Sequence, residues 1–264
     1  MAQRSDLEAW FQRETTVLLG YSGGVDSALL AVVGSRVLGP DRFLAVIGRS
    51  ASFPEVQWRQ ARDLAQQFRV PVLELETREL DDPNYRANAP NRCYFCKAEL
   101  WTRLTDLAVA RGAGAVIDGT NADDLQEHRP GAAAGSERTI RSPYLELGWN
   151  KSTVRTVARE AGLPIWDAPA APCLASRIQY GLEVTEPRLR QVELAEELLR
   201  TLGVTGDLRV RHLGDLARIE VRPDMFSLVD GHWPTIEPEF GALGFQRVER
   251  DPAGYRRGNL LPLA

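Results

Sequence analysis

The stretch VLLGYSGGVDSALLA, Val17 to Ala31, decides how the chain reads. An apolar run reaches Tyr21, breaks into Ser22-Gly23-Gly24-Val25-Asp26-Ser27, and resumes with helical spacing. A glycine-rich turn that leaves a strand and opens a helix aims several backbone N–H groups at one point, with the positive end of the helix behind them. Its expected guest is a phosphate. Gly23 and Gly24 permit positive φ and close backbone approach, and Ser22 and Ser27 bring hydroxyl donors. Asp26 is a carboxylate among phosphate-binding groups, which makes chemical sense where it binds magnesium or positions a nucleophile. The turn has no Walker-type lysine, so an ordinary P-loop nucleotide hydrolase is disfavoured. Taken alone, Gly-Gly-x-Asp also serves as a plain tight turn.

Outward from this turn, β-rich apolar runs at 16–21, 43–47, 70–75 and 115–118 alternate with helical patterns at 27–37, 54–68 and 97–111. The second helical pattern carries a start signal in Ser52-Phe53-Pro54-Glu55, a serine cap with a glutamate three residues on and a proline in the first turn. The alternation predicts an α/β fold, a doubly wound parallel sheet with right-handed crossovers and helices on both faces. Ligands of such sheets sit at the carboxyl ends of the strands. Small and polar residues in HRPGAAAGSERT make the loop 129–138 a candidate lid. After Gly181 the pattern changes. Thr185 caps a helix over 186–202 with Pro187 in its first turn; alternating segments at 208–212 and 217–222, a short helix at 223–229 and a strand at 245–249 follow. The expected domains are 1–180 and a smaller α+β unit at 181–264.

Composition bounds the function. With 264 residues, 44% hydrophobic and 26% charged, the chain has the make-up of a folded globular protein. A net charge of −4 speaks against a general nucleic-acid surface. No apolar stretch approaches the roughly 20 residues of a membrane span, and Met1 to Trp10 lacks an apolar signal core, so a cytoplasmic location is expected. Cys93, Cys96 and Cys173 are too few and too odd in number for a disulfide framework and point to chemistry or metal.

The strand followed by Ser-Gly-Gly-Val-Asp-Ser resembles the PP-loop of the N-type ATP pyrophosphatases. That family has the adenine nucleotide alpha hydrolase-like fold, splits ATP between its α and β phosphates, and adenylates a substrate. The resemblance implies that Gly48-Arg49-Ser50 holds adenine through backbone groups, and that Gly119 and Thr120 form a second turn before Asp123 and Asp124. It also implies that Asp26 and Asp124 hold magnesium and that Lys151, opening a helix in SPYLELGWNKSTVR, steadies the leaving pyrophosphate. Trp101 reads as core rather than as a base-stacking residue.

Closer still, PCLASRI, RCYFCK, GTNADDLQEHRPG and LRVRHLGDLARIEV together resemble the LarE family of ATP-dependent sulfur transferases, across essentially the whole chain. The implied substrate is a pyridinium mononucleotide whose two carboxylates are adenylated and converted to thiocarboxylates on the way to the nickel-pincer nucleotide cofactor of lactate racemase. Cys173 is the implied sulfur-bearing residue, with Arg177 nearby to favour its thiolate. Two versions stay open. In the favoured one, Cys93, Cys96 and Cys173 hold a 4Fe-4S cluster whose fourth iron carries a sulfide; in the other, Cys173 gives up its own sulfur and becomes dehydroalanine. The family further implies that Arg209 and Arg211 grip the substrate phosphate, with Glu220 and Glu197 as acidic neighbours able to hold a metal. Homo-oligomerisation is expected of the small unit. The rivals are a tRNA thiolase, disfavoured by the acidic balance and the lack of a zinc-ribbon cysteine set, and a nucleotide-binding protein without catalysis.

Overall fold

The computed structural model describes residues 3–125, 134, 135, 137–169 and 171–256. The chain forms two compact units, Met1–Glu79 with Cys93–Ala171, and Leu80–Arg92 with Pro172–Ala264. The contiguous division at 180/181 expected from composition does not match these units, because the segment Leu80–Arg92 packs with the C-terminal unit.

The first unit is built on a parallel sheet of β1 (Val17–Gly20), β2 (Phe43–Arg49), β3 (Val72–Glu76) and β4 (Ala115–Ile117), in the order β3-β2-β1-β4. Alternation of side chains along each strand sends neighbours to opposite faces. Val17, Leu19, Ala45, Ile47, Ala115 and Ile117 pack with α1 (Arg4–Gln12), α2 (Val25–Leu38), α3 (Glu55–Gln67) and, further along the chain, Val154, Val157 and Ala158. Leu18, Val46 and Val116 pack on the other face with Trp101, Leu104 and Ala108. The doubly wound sheet is therefore present, and Trp101 lies in its core, only 2% exposed.

One helix was not anticipated from the sequence, and two local features differ from expectation. Helix α1 is present although residues 4–12 are rich in charge: Leu7, Trp10 and Phe11 recur at helical spacing and are buried. Helix α3 starts at Glu55 with Pro54 as its N-cap and without a side-chain cap bond, so Ser52 is not the cap. Glu55 bonds Arg49 and Arg59, and Ser52 N–H donates to Ser50 Oγ at 3.2 Å. After the one-turn helix α4 (Pro83–Arg86), α5 runs over Arg92–Arg111 rather than from 97, so Cys93 and Cys96 lie inside its first turns.

Two further helices complete this unit, α6 (Pro143–Glu146) and α7 (Lys151–Glu160). The other unit begins with a 3-10 turn at Leu174–Arg177 and continues with α8 (Glu186–Thr201), capped by Thr185 as expected. Strand β5 (Leu208–Leu213) pairs antiparallel with β6 (Leu216–Val221), and β6 pairs parallel with β7 (Arg247–Arg250). Helices α9 (Phe226–Gly231) and α10 (Trp233–Ala242) lie between β6 and β7 in sequence; Val229, Ile236 and Phe240 join Leu199, Val210 and Ile219 in its core.

Candidate functional site

The turn after β1 is fixed by its own side chains. Ser22 N–H donates to Ser27 Oγ at 3.2 Å, the two serine hydroxyls meet at 3.2 Å, and Ser27 Oγ donates to the Gly24 carbonyl at 3.1 Å. Gly23 has φ of +75°, and a Cβ there would lie 2.5 Å from Ala61 Cβ. Only glycine fits. Gly24, by contrast, has an extended conformation as N-cap, and a Cβ would meet nothing closer than Ser22 Oγ at 3.6 Å, so its glycine is not a backbone requirement. The first N–H to bond back along the helix is that of Ala28, to the Gly24 carbonyl at 2.9 Å. The amides of Val25, Asp26 and Ser27 precede it without intrahelical acceptors, so this end of a 14-residue helix offers the donors and the dipole end that suit an anion.

The carboxyl end of β4 meets the same point. A Cβ on Gly119 would lie 3.0 Å from Asp26 Cβ and 3.1 Å from Ser27 N, so the second turn closes directly on the first turn of α2. Asp118 shapes that second turn, accepting from Thr120 N–H at 3.1 Å, Thr120 Oγ1 at 2.7 Å and Ser142 Oγ at 2.6 Å. Asp124 accepts from Asn121 N–H at 3.0 Å, and Asn121 Nδ2 stands 3.5 Å from Asp26 Oδ1. Lys151 Nζ forms an ion pair with Asp26, both side chains being about one-quarter to one-third exposed. Tyr144, buried, donates its hydroxyl to the Asp26 carbonyl at 2.8 Å and stacks on Trp149; burial, then the Asp26 charge, hold its pKa well above the ordinary tyrosine value. Asp123 accepts from Lys151 N–H at 3.0 Å and so caps α7 alongside Asn150. Past β2, Ser50 Oγ donates to buried Glu79 at 2.5 Å, and the Arg49 guanidinium lies 4.3 Å from the Trp58 ring centre.

The second unit holds the other set. Cys173 caps the turn Leu174–Arg177. Arg177, buried, makes a two-pronged bond to Glu196 at 3.0 and 3.2 Å and donates to the carbonyls of Pro172 and Cys173 at 2.5 and 2.9 Å. Arg211 bonds Glu220 at 2.8 Å and the Ser176 carbonyl at 3.1 Å. Arg209, also buried, donates to the Leu208 carbonyl at 2.6 Å and lies against the Tyr255 ring, and among the described residues no carboxylate is in ion-pair contact with it. Burial and then the neighbouring Arg177 charge lower its pKa below the ordinary arginine value. Three guanidiniums against two carboxylates leave an excess positive charge suited to an anion.

A family model of NAD synthases matches residues 9–108. A protein of Synechocystis sp., named only as uncharacterized, is 42% identical over 97% of this chain and 95% of its own length. The pyridinium-3,5-bisthiocarboxylic acid mononucleotide synthase of Lactiplantibacillus plantarum is 34% identical over 92% of this chain and 88% of its own length. The chain belongs to the LarE family. A tRNA-specific 2-thiouridylase of Chlorobium phaeovibrioides matches this LarE-family chain at 33% identity, but over only 41% of it.

In the LarE-family chain, the expected residues Ser22, Gly23, Gly24, Val25, Asp26, Ser27, Gly119, Thr120, Asp124 and Lys151 surround one helix end, and Ser50 follows the adjacent strand. Ser27 and Thr120 commit their hydroxyls to the fold. Arg177 is committed to Glu196 and to main-chain carbonyls, that of Cys173 among them. The acidic partner on α8 is Glu196, not Glu197, which is exposed. Glu196 was legible: Leu189, Val192, Ala195, Glu196 and Leu199 form one buried helical stripe. All three cysteines are outside any disulfide, Cys93 exposed and Cys96 and Cys173 half-buried. Among the described residues no three His, Cys, Asp or Glu side chains gather in a metal-binding group. Most of the expected lid 129–138 lies outside the described residues. Among those described, no helix is long and apolar enough to cross a membrane.

Proposed function

We propose that the chain is an ATP-dependent sulfur transferase that adenylates the carboxylates of a pyridinium biscarboxylate mononucleotide and converts them to thiocarboxylates, in the biosynthesis of the nickel-pincer nucleotide cofactor that serves lactate racemase. The observation that carries this reading is the meeting of Asp26 and Lys151, 125 positions apart, at the amide-lined start of α2. Near-full-length similarity to the L. plantarum synthase supports the substrate class.

The amides of Gly23 to Ser27 receive the phosphates of ATP, and Ser50 lies beside the adenine. A substrate carboxylate oxygen attacks the α phosphorus in line, pyrophosphate leaves, and an acyl adenylate remains; the chain contributes positioning and charge neutralisation. Lys151 exchanges Asp26 for the leaving pyrophosphate. Asp26, freed by that exchange, and Asp124 are the carboxylates that would hold Mg2+, which neutralises phosphate charge when bound. Arg209 and Arg211 take the mononucleotide phosphate, a role supported by the burial of both guanidiniums on one strand, with Arg209 in no ion pair among the described residues. A sulfur nucleophile then attacks the acyl carbon and AMP departs. Three thiols outside any disulfide, two of them one helical turn apart, fit an iron–sulfur donor set. Cys93, Cys96 and Cys173 would hold a 4Fe-4S cluster, which when bound supplies a transferable sulfide. Sacrifice of the Cys173 sulfur is the alternative. The protein is read as a cytoplasmic homo-oligomer acting on a small molecule.

Cys173→Ala separates the half-reactions. It is expected to abolish thiocarboxylate formation and to spare pyrophosphate release; loss of both contradicts a sulfur-bearing role. Anaerobic protein with about four irons and four sulfides per chain supports the cluster, whereas iron-free protein that transfers sulfur once per chain supports sacrifice.

A further inference from the structure

The turn that carries Cys173 is held by its main chain through three buried arginines, Arg177, Arg211 and Arg92, and the last has no part in the function described above. Arg177 holds the carbonyls of Pro172 and Cys173. On the other flank, Arg92 Nη1 donates to the Ala175 carbonyl at 2.8 Å and to Asn88 Oδ1 at 2.5 Å. Asn88 is fully buried and left-handed, with φ of +54°. Its Nδ2 is shared among the carbonyls of Ile178, Gln179 and Leu182 at 3.3, 2.8 and 2.9 Å, and its own carbonyl accepts from Gly181 N–H at 3.2 Å. Arg92 is only 3% exposed and lies over the Tyr180 ring.

These two residues sit in Leu80–Arg92, the short piece of the first half of the chain that packs with the C-terminal unit. A 3-10 turn of four residues has little stability of its own. Here its carbonyls are spoken for by buried guanidiniums, and a guanidinium that lost them would be left buried and unsatisfied, so the arrangement is strongly determined. Arg92 is moreover the residue immediately before Cys93. One side chain thus links the main chain next to one cysteine to the main chain two residues past another.

We propose that Asn88 and Arg92 are positioning residues for the Cys173 thiol, fixing its turn for sulfur transfer without touching substrate; this rests on the reading of Cys173 as the sulfur-bearing residue. The test compares Asn88→Gly, which keeps the left-handed backbone, and Arg92→Lys, which keeps the charge and loses the fork, with the unaltered full chain. Three quantities are read: pyrophosphate release with ATP and the biscarboxylate mononucleotide, thiocarboxylate formation, and the rate at which iodoacetamide alkylates Cys173, mapped by mass spectrometry on anaerobic, iron-free protein.

Thiocarboxylate formation is expected to fall about 100-fold in Asn88→Gly, and less in Arg92→Lys, because small misplacements of a reacting group are costly. Cys173 alkylation is expected to rise about tenfold as the turn loosens, with Cys96 alkylation unchanged. Pyrophosphate release is expected to stay within about twofold. Unchanged Cys173 alkylation and thiocarboxylate formation in both variants would overturn the proposal, as would a parallel fall of both half-reactions together with thermal stability. If the unaltered protein released no pyrophosphate, the functional reading would fail, while the alkylation ratio would still decide the positioning role.

Discussion

Lys151, the first residue of α7, sets its ammonium against the carboxylate of Asp26 in the first turn of α2. The pair holds a carboxylate at the amide-lined end of a helix and neutralises its charge there; in the proposed mechanism an arriving phosphate displaces it. Asp26→Asn and Lys151→Ala are each expected to lower pyrophosphate release by about 100-fold or more. Because the pair is partly exposed, unfolding stability should change by only about 1 kcal/mol. Steady-state pyrophosphate assays and urea titrations check both numbers.

Gly23→Ala places a Cβ on a residue with φ of +75° and within 2.5 Å of Ala61. The turn must then move, at a cost of about 1–3 kcal/mol. ATP affinity, followed by calorimetric titration, should fall. Gly24→Ala, where there is room and no conformational demand, should keep affinity and stability close to those of the unaltered chain.

Arg177 and Glu196 are a buried two-pronged pair. Removing either partner alone leaves a buried charge, with an expected loss of about 3–5 kcal/mol in urea unfolding. The double substitution Arg177→Met with Glu196→Leu should recover part of that loss while sulfur transfer stays low, since Met cannot hold the Cys173 carbonyl.

His212 is buried, with Nε2 2.9 Å from Gln191 Oε1, and burial followed by the Arg188 charge lowers its pKa to about 4, against a smaller opposing effect of Asp215. The neutral ring is the folded form. An unfolded chain takes up the proton near the ordinary histidine value, so this contribution is present above about pH 6.5 and is lost as pH falls toward 4. Between pH 7 and pH 5 the loss is about 2 kcal/mol. Unfolding measured across that range should show a steeper decline for the unaltered protein than for His212→Gln.

How much of this was legible depended on the range of the interactions. Val17–Ala31 announced itself by the switch from an apolar run to helical spacing, and the four parallel strands followed from the alternation around it. Local punctuation misled where tertiary contacts ruled. The start signal Ser52-Phe53-Pro54-Glu55 placed the cap at Ser52, whereas the N-cap of α3 is Pro54. The helical pattern was read from Lys97, yet nothing between Arg92 and Lys97 interrupts a helix. Glu196 was missed by a single position of helical phase. Asn88 and Arg92 had no local signal, because their acceptors lie 83 to 94 positions away.

The most direct measurement follows one oxygen atom. With substrate carboxylates labelled by 18O and ATP unlabelled, attack on the α phosphorus carries a carboxylate oxygen into AMP, so the account predicts one 18O in AMP for each thiocarboxylate formed. Unlabelled AMP, or label appearing in inorganic phosphate with ADP as the partner product, would contradict it.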